Sequence, residues 1–263
     1  MDRVKTGIAE LDKMLNGGFM QSDAVMVAGS AGTGKTTLAL QYLFNGATQN
    51  GENGIYVTFE QLPDQIYRDA MNFGWNLRRL EEEDKLRVVC TSPDLLLEAS
   101  DGSRLLDEPI RQVKPKRIVI DSLSHLSMYV EETNLRKDAY QLLMYFKTKG
   151  LSSLSIWETP QLIGQTFSVT DVGLSFLVDC IVLLRMVEIE STMRKALVVM
   201  KMRASDHDRR LREFEIESDG IKVAGPFTHY EGILTGSARR SLTDDAAKAM
   251  AEAFGTRREK AHE

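Results

Sequence analysis

The sequence predicts an α/β fold, with a mostly parallel sheet flanked by helices and antiparallel strands after residue 180. Two observations carry this. Up to Asp179, short Val- and Ile-rich runs alternate with helical patterns, the order expected of a parallel sheet covered on both faces. After Asp179, apolar runs follow one another with little between them, as antiparallel strands do. The chain of 263 residues, 43% of them hydrophobic, is long enough to bury a full core.

The elements follow in order. "DAVMVAG" (Asp23 to Gly29) reads as a buried strand, and Thr36 to Ala47 as the helix after it. "GIYVTFE", ending at Glu60, is the next strand. "PDQIYRDAMNFG" has Pro63 in a first-turn position and Gly74 as a stop, which frames a helix. "LRVVCTS" and "RIVIDS" are two further strands, and "SLSIWET" is the fifth. Between the last two, Leu135, Ala139, Leu142, Leu143 and Phe146 fall on one helical face that stops at Gly150. "CIVLLRMVEIE", "RKALVVMKMR", "LREFEIES" and "GIKVAG" then read as antiparallel strands, with Ser218-Asp219-Gly220 as a turn. Residues 1–236 are expected to form one domain. Residues 237–263 read as a charged tail or peripheral helix, with an Ala-rich helical piece from Asp244 to Phe254.

Composition excludes some classes. A net charge of −5 does not suggest a generic polyanion-binding surface. The N-terminus has no apolar signal core, and the longest apolar stretch, Leu174 to Leu184, is broken by Asp179 and too short to span a bilayer. A soluble cytoplasmic protein is expected. Cys90 and Cys180 lie in apolar runs and read as buried small hydrophobes in a reduced compartment.

"GSAGTGKT" matches G-x-x-x-x-G-K-[ST] at every fixed position, between a predicted strand and a predicted helix. Gly29, Ser30, Ala31, Gly32, Thr33 and Gly34 would wrap a phosphate with their backbone N–H groups, and the helix N-terminus adds positive potential. Lys35 would reach the β- and γ-phosphates of a nucleotide, and Thr37 is placed for the α-phosphate. The Thr36 hydroxyl would ligate Mg²⁺. Asp121 ends the apolar run "RIVIDS", where the second Mg²⁺-organising group belongs. ATP and Mg²⁺ are therefore the expected cofactors.

In a parallel sheet, ligands sit at the carboxyl ends of the strands. Gly29, Glu60, Asp121 and Glu158 are expected to converge there. Glu60 could orient or deprotonate an attacking water. In "KMRASDHD", Lys201 and Arg203 share one face of a strand end, and Met202 points to the core. Two such cations suit a γ-phosphate or its transition state, and equally a solvated strand end paired with Asp206 and Asp208. Their distance along the chain from the phosphate loop suggests the nucleotide of a neighbouring subunit.

"TGIAELDKMLNGG", the phosphate loop, "YVTFE", "RIVIDSLSHL" and "KMRASDHDRRLREFEI" together resemble the KaiC-like ATPases of the RecA superfamily, over about residues 4 to 240. The resemblance implies a RecA-like P-loop core and a ring, usually a hexamer, with ATP at subunit interfaces. It implies that Lys35, Thr36 and Asp121 bind Mg-ATP, that Glu60 is the catalytic glutamate, and that Lys201 and Arg203 reach the neighbour's γ-phosphate. Three departures stand out. The family commonly has a second glutamate where this chain has Gln61. A glycine usually follows the basic pair, and here it is Ala204. In two-domain members, adjacent Ser and Thr residues take phosphate from ATP; here Ser175 matches the serine but Phe176 stands at the threonine. Single-site autophosphorylation on Ser175 stays open beside a buried helical serine.

The expected function is a slow, ring-forming Mg-ATPase whose nucleotide state is signalled to a protein partner. Two alternatives are an ATP-binding scaffold with little hydrolysis and a recombination ATPase acting on DNA. Candidate DNA loops, Ser127 to Asn134 and Pro160 to Asp171, contain no Lys or Arg, so nothing there would neutralise phosphates.

Overall fold

Ala24–Gly29 is an unbroken run of small and branched apolar residues, every one buried, and it forms the central strand of a nine-stranded sheet. The computed structural model describes residues 2–100, 103–159, 174–228, 230–233 and 239–240. Numbered along the chain, the strands of this sheet are β1 (Ala24–Gly29), β2 (Gly54–Thr58), β3 (Leu86–Cys90), β4 (Arg117–Asp121) and β5 (Ser152–Glu158). The later four are β6 (Cys180–Ile189), β7 (Thr192–Met202), β8 (Arg212–Glu217) and β9 (Gly220–Pro226). Their spatial order is β9-β8-β7-β6-β1-β5-β4-β2-β3. Strands β3, β2, β4, β5, β1 and β6 are mutually parallel; β6 through β9 pair antiparallel.

Alternation along β1 builds two cores. Val25 and Val27 face one layer with Leu38, Tyr42 and Leu43 of the Lys35–Gln49 helix. Ala24, Met26 and Ala28 face the other, with Leu135, Ala139, Leu142, Leu143 and Phe146 of the Glu132–Thr148 helix. Each buried Val, Leu, Met or Phe side chain among these contributes about 1.5–3 kcal/mol, and each alanine methyl less. A sheet buried on both faces needs continuous apolar strands, which is why β1 shows no polar alternation.

The antiparallel half is made by tight turns. Ile189 pairs with Thr192, and Glu190 and Ser191 between them have φ of 51° and 60°, the twist that matches a two-residue hairpin. Ser218-Asp219 joins β8 to β9, with Glu217 paired to Gly220, as the turn signal predicts.

Several expectations need correction. Strand β2 stops at Thr58, not Glu60. Phe59 N–H still donates to the Asp121 carbonyl, but Gln61 N–H turns back onto Thr58 Oγ1 at 3.1 Å, so the chain bends at Glu60. Cys180 is buried, but Cys90 is exposed because it ends β3, an edge strand with a neighbour on one side only. The Ser127–Asn134 loop is mostly helical, covered by Leu126–Tyr129 and the start of Glu132–Thr148. Pro160 to Asp171, the Asp244–Phe254 helix and the boundary at 236/237 lie outside the described residues. Among the described residues, no helix is long and apolar enough to cross a membrane.

Candidate nucleotide-binding and catalytic site

The carboxyl edge of the parallel strands gathers the predicted residues. Gly29 at the end of β1 is the Cα partner of Glu158 in β5, and Thr58 at the end of β2 is the partner of Asp121. Gly29 admits no side chain, since a Cβ there would lie 2.6 Å from the Leu184 carbonyl oxygen. Gly34 has φ of 97°, a left-handed conformation that turns the chain into the Lys35–Gln49 helix. No side chain caps that helix, and its first turn holds no acidic residue. Its leading N–H groups and partial positive charge are therefore left for an anion.

Lys35 crosses the loop and donates to the Ser30 carbonyl at 2.8 Å, beside Thr33 Oγ1, which donates to the same oxygen at 2.8 Å. Burial lowers the Lys35 ammonium below its ordinary range, and the charges of Glu158 and Asp121 oppose this. Asp121 accepts at Oδ2 from Thr36 Oγ1 at 2.8 Å and from the Tyr56 hydroxyl at 2.5 Å. Burial raises the Asp121 carboxyl; the bonds from Tyr56 and Thr36 and the Lys35 charge pull it back. A hydroxyl and a carboxylate in contact offer only hard oxygen donors, a set that fits Mg²⁺.

Beside the loop is a crevice of about 510 Å³ lined by Ser30, Ala31, Glu60, His125, Glu158 and Thr159, among others. Glu60 projects into it, its side chain 68% exposed. Its Oε1 lies 2.5 Å from His125 Nε2, and His125 Nδ1 lies 2.8 Å from Ser122 Oγ. Glu158 N–H donates to Ser124 Oγ at 2.6 Å, which ties the tip of β5 to the turn after β4.

Lys201 and Arg203 are elsewhere. Met202 pairs with Cys180, and Cys180 pairs with Val25, so this end of β7 lies at the amino edge of β1. From Val25 to Gly29 is four residues of strand, about 13 Å. Lys201 donates to the carbonyls of Ser175 at 2.8 Å and Val178 at 2.7 Å. Arg203 donates to the Phe176 carbonyl at 2.6 Å and lies 3.5 Å from Asp179 Oδ1. The alternative partners predicted from sequence are not used: Asp208 pairs with Arg210 and Arg212. Ser175 sits in a half-buried single turn, Leu174–Phe176, at this same amino edge.

The match to known proteins covers the same elements. The family model for the KaiC ATPase matches residues 4–227. This chain belongs to the KaiC ATPase family. The circadian clock protein KaiC3 of Synechocystis sp. is 34% identical over 235 residues, covering 89% of this chain and 46% of that protein. The circadian clock oscillator protein KaiC of Nostoc sp. is 35% identical over 246 residues, covering 94% of this chain and 47% of that protein. KaiC of Synechococcus elongatus is 33% identical, with 94% and 47% covered. The chain thus spans about half the length of the curated relatives it matches.

Membership makes this an ATP-binding ATPase domain with a RecA-like core. Within this KaiC-family site, sequence reading missed two side chains. Tyr56 hides in an apolar run and reads as core; only the β2–β4 register brings its hydroxyl to Asp121. His125 carries one signal, a lone imidazole four residues after Asp121, but its partner Glu60 is 65 residues away.

Proposed function

We propose that this chain is a slow ATP hydrolase that works as a ring, most simply a hexamer. In this reading residues 29–37 and Asp121 hold Mg-ATP, and Lys201 and Arg203 act on a neighbouring subunit's nucleotide. The observation that carries the reading is the separation of two half-sites. The phosphate loop lies at the carboxyl edge of the sheet and the basic pair toward the amino edge: Lys201 is level with Met26, three residue steps before Gly29, and Arg203 lies farther still from the loop. The pair would serve the nucleotide of another copy, which makes each ATP site incomplete in one subunit.

Thr36 and Asp121 would hold Mg²⁺, which when bound neutralises charge on the phosphate oxygens. Glu60 would take a proton from water as the water oxygen bonds to the γ-phosphorus and the bond to ADP breaks. Ligand held between copies favours assembly, because it binds the assembled state better. The relatives are circadian clock proteins, and in this reading a protein partner senses the nucleotide state of this chain. Residues 237–263 would lie outside the ATPase unit.

A second reading keeps the same binding site but little hydrolysis, favoured by Gln61 where the family commonly has a carboxylate. A third is phosphate transfer to Ser175, favoured by its place in the turn that Lys201 and Arg203 grip. Phosphate release should be measured for wild type and Glu60→Gln across concentrations that span assembly, with sedimentation alongside. Turnover lost in the variant while ATP stays bound supports Glu60 as the base. No turnover in either, with rings still forming on ATP, supports the scaffold. A phosphopeptide containing Ser175 after incubation with Mg-ATP supports the third reading.

A further inference from the structure

We infer that His125 is a positioning residue for Glu60, holding its carboxylate at one place in the crevice beside the phosphate loop. The inference rests on the reading of Glu60 as the base.

Glu60 is poorly restrained by its own segment. It follows the last strand residue of β2 by two positions, and its side chain is 68% exposed. Such a side chain samples many rotamers unless a partner selects one. With Gln61 beside it, the neighbouring position supplies an amide rather than a second carboxylate. The partner that selects its position is an imidazole.

His125, by contrast, is fixed on several sides. It closes the Leu123–His125 turn directly after β4, its side chain is only 13% exposed, and Leu123 anchors the turn in the core. The Phe59 ring packs against it with centroids 6.1 Å apart. Ser122 Oγ is 2.8 Å from Nδ1, and the Ser122 carbonyl is 3.3 Å from the same nitrogen.

The chemistry sets the direction of these bonds. An ionised carboxylate is only an acceptor, so Nε2 must carry the hydrogen that faces Glu60. In the neutral ring, Nδ1 then accepts from the Ser122 hydroxyl. In the charged ring, Nδ1–H donates to the Ser122 hydroxyl oxygen, with the Ser122 carbonyl as a second, longer acceptor. Either way Nε2–H stays on Glu60. Because Ser122 follows Asp121 in the chain, the chain of contacts Ser122–His125–Glu60 ties the candidate base to the strand that carries the candidate metal ligand.

The test compares wild type with Glu60→Gln, His125→Ala, His125→Gln and the double variant His125→Ala/Glu60→Gln. Phosphate release and binding of a fluorescent ATP analogue are measured on the assembled full chain. Loss of positioning without loss of binding predicts kcat about 10- to 100-fold lower in His125→Ala, with analogue affinity unchanged. Gln at 125 offers an N–H at similar reach and should recover most of that loss. The double variant should be no slower than Glu60→Gln alone. Independently of turnover, ¹⁵N-imidazole spectra of the nucleotide-free chain, which has four histidines, should show one ring protonated at Nε2 that shifts in Glu60→Gln. His125→Ala as fast as wild type, or a rise in KM alone, while Glu60→Gln is inactive, would overturn the role of His125 and leave Glu60 standing. A fully active Glu60→Gln, or a wild type without turnover, would instead overturn the reading beneath it, and the positioning role with it. No histidine signal responding to Glu60→Gln contradicts the contact itself.

Discussion

Asp23→Asn should stabilise the nucleotide-free protein above pH 6 and leave it unchanged near pH 4. Asp23 stands just before β1, and its Oδ2 is buried without a hydrogen-bond partner among the described residues. Burial, then the charge of Asp179, pushes its carboxyl up to about 6, against opposing influences from Lys147, the Met20 backbone and Arg3. A carboxyl raised in the folded state stabilises most below its unfolded value, where both states carry the proton. That stability is lost as pH rises from about 4 through 6, because the unfolded chain ionises first. The rise from 3.8 to about 6 corresponds to about 3 kcal/mol at about 1.4 kcal/mol per pH unit. The group is only half-buried, so solvent screening reduces this to about 1.5 kcal/mol. Urea unfolding of both proteins at pH 4, 5, 6, 7 and 8 reads the difference directly. It should grow from near zero to about 1.5 kcal/mol in favour of Asn. A difference that is the same at every pH would owe nothing to ionisation and would rule out a destabilising charge at Asp23.

Further outcomes follow from single contacts. Ala204 has φ of 54°, where glycine sits without steric cost, so Ala204→Gly should stabilise by about 1 kcal/mol in the same unfolding assay. Tyr56→Phe removes the hydroxyl that donates to the buried Asp121 carboxylate; it should cost about 1.5–3 kcal/mol of stability and weaken Mg-ATP more than ATP in chelator. Asp121→Asn should relieve the cost of burying that charge, raising stability at neutral pH while abolishing the magnesium dependence of nucleotide binding.

Much of this protein was legible in its sequence, for reasons tied to particular residues. The run Ala24–Gly29 followed by the phosphate-loop spacing forces a strand, a wrapped loop and a helix in that order, and the structure has them. Asp121 is equally plain, because a carboxylate after four strand residues ends at the carboxyl edge of the sheet. What stayed hidden depends on which strands are neighbours. Cys90 reads as core until β3 is seen to be an edge strand. Tyr56 reads as core until β4 lies beside β2. The edge on which Lys201 and Arg203 fall follows from chain direction: β6 leaves the amino edge and β7 returns to it, so the end of β7 must lie far from the loop. The bend at Glu60 has no strong turn residue to announce it; a bond from the Gln61 N–H to the Thr58 hydroxyl makes it.

In the proposed ring, one copy supplies the phosphate loop and its neighbour supplies the basic pair. Mixing subunits tests it most directly. Lys35→Ala removes nucleotide capture from one population, and Arg203→Ala removes the basic group from the other. Each alone should be inactive. Mixed in equal amounts before ATP-driven assembly, about a quarter of the head-to-tail interfaces would join an intact loop to an intact arginine. Turnover should return toward that fraction of wild type. No recovery in rings shown by native mass spectrometry to contain both subunits would rule out a site shared between neighbours, because each site would then need its loop and its arginine from the same chain.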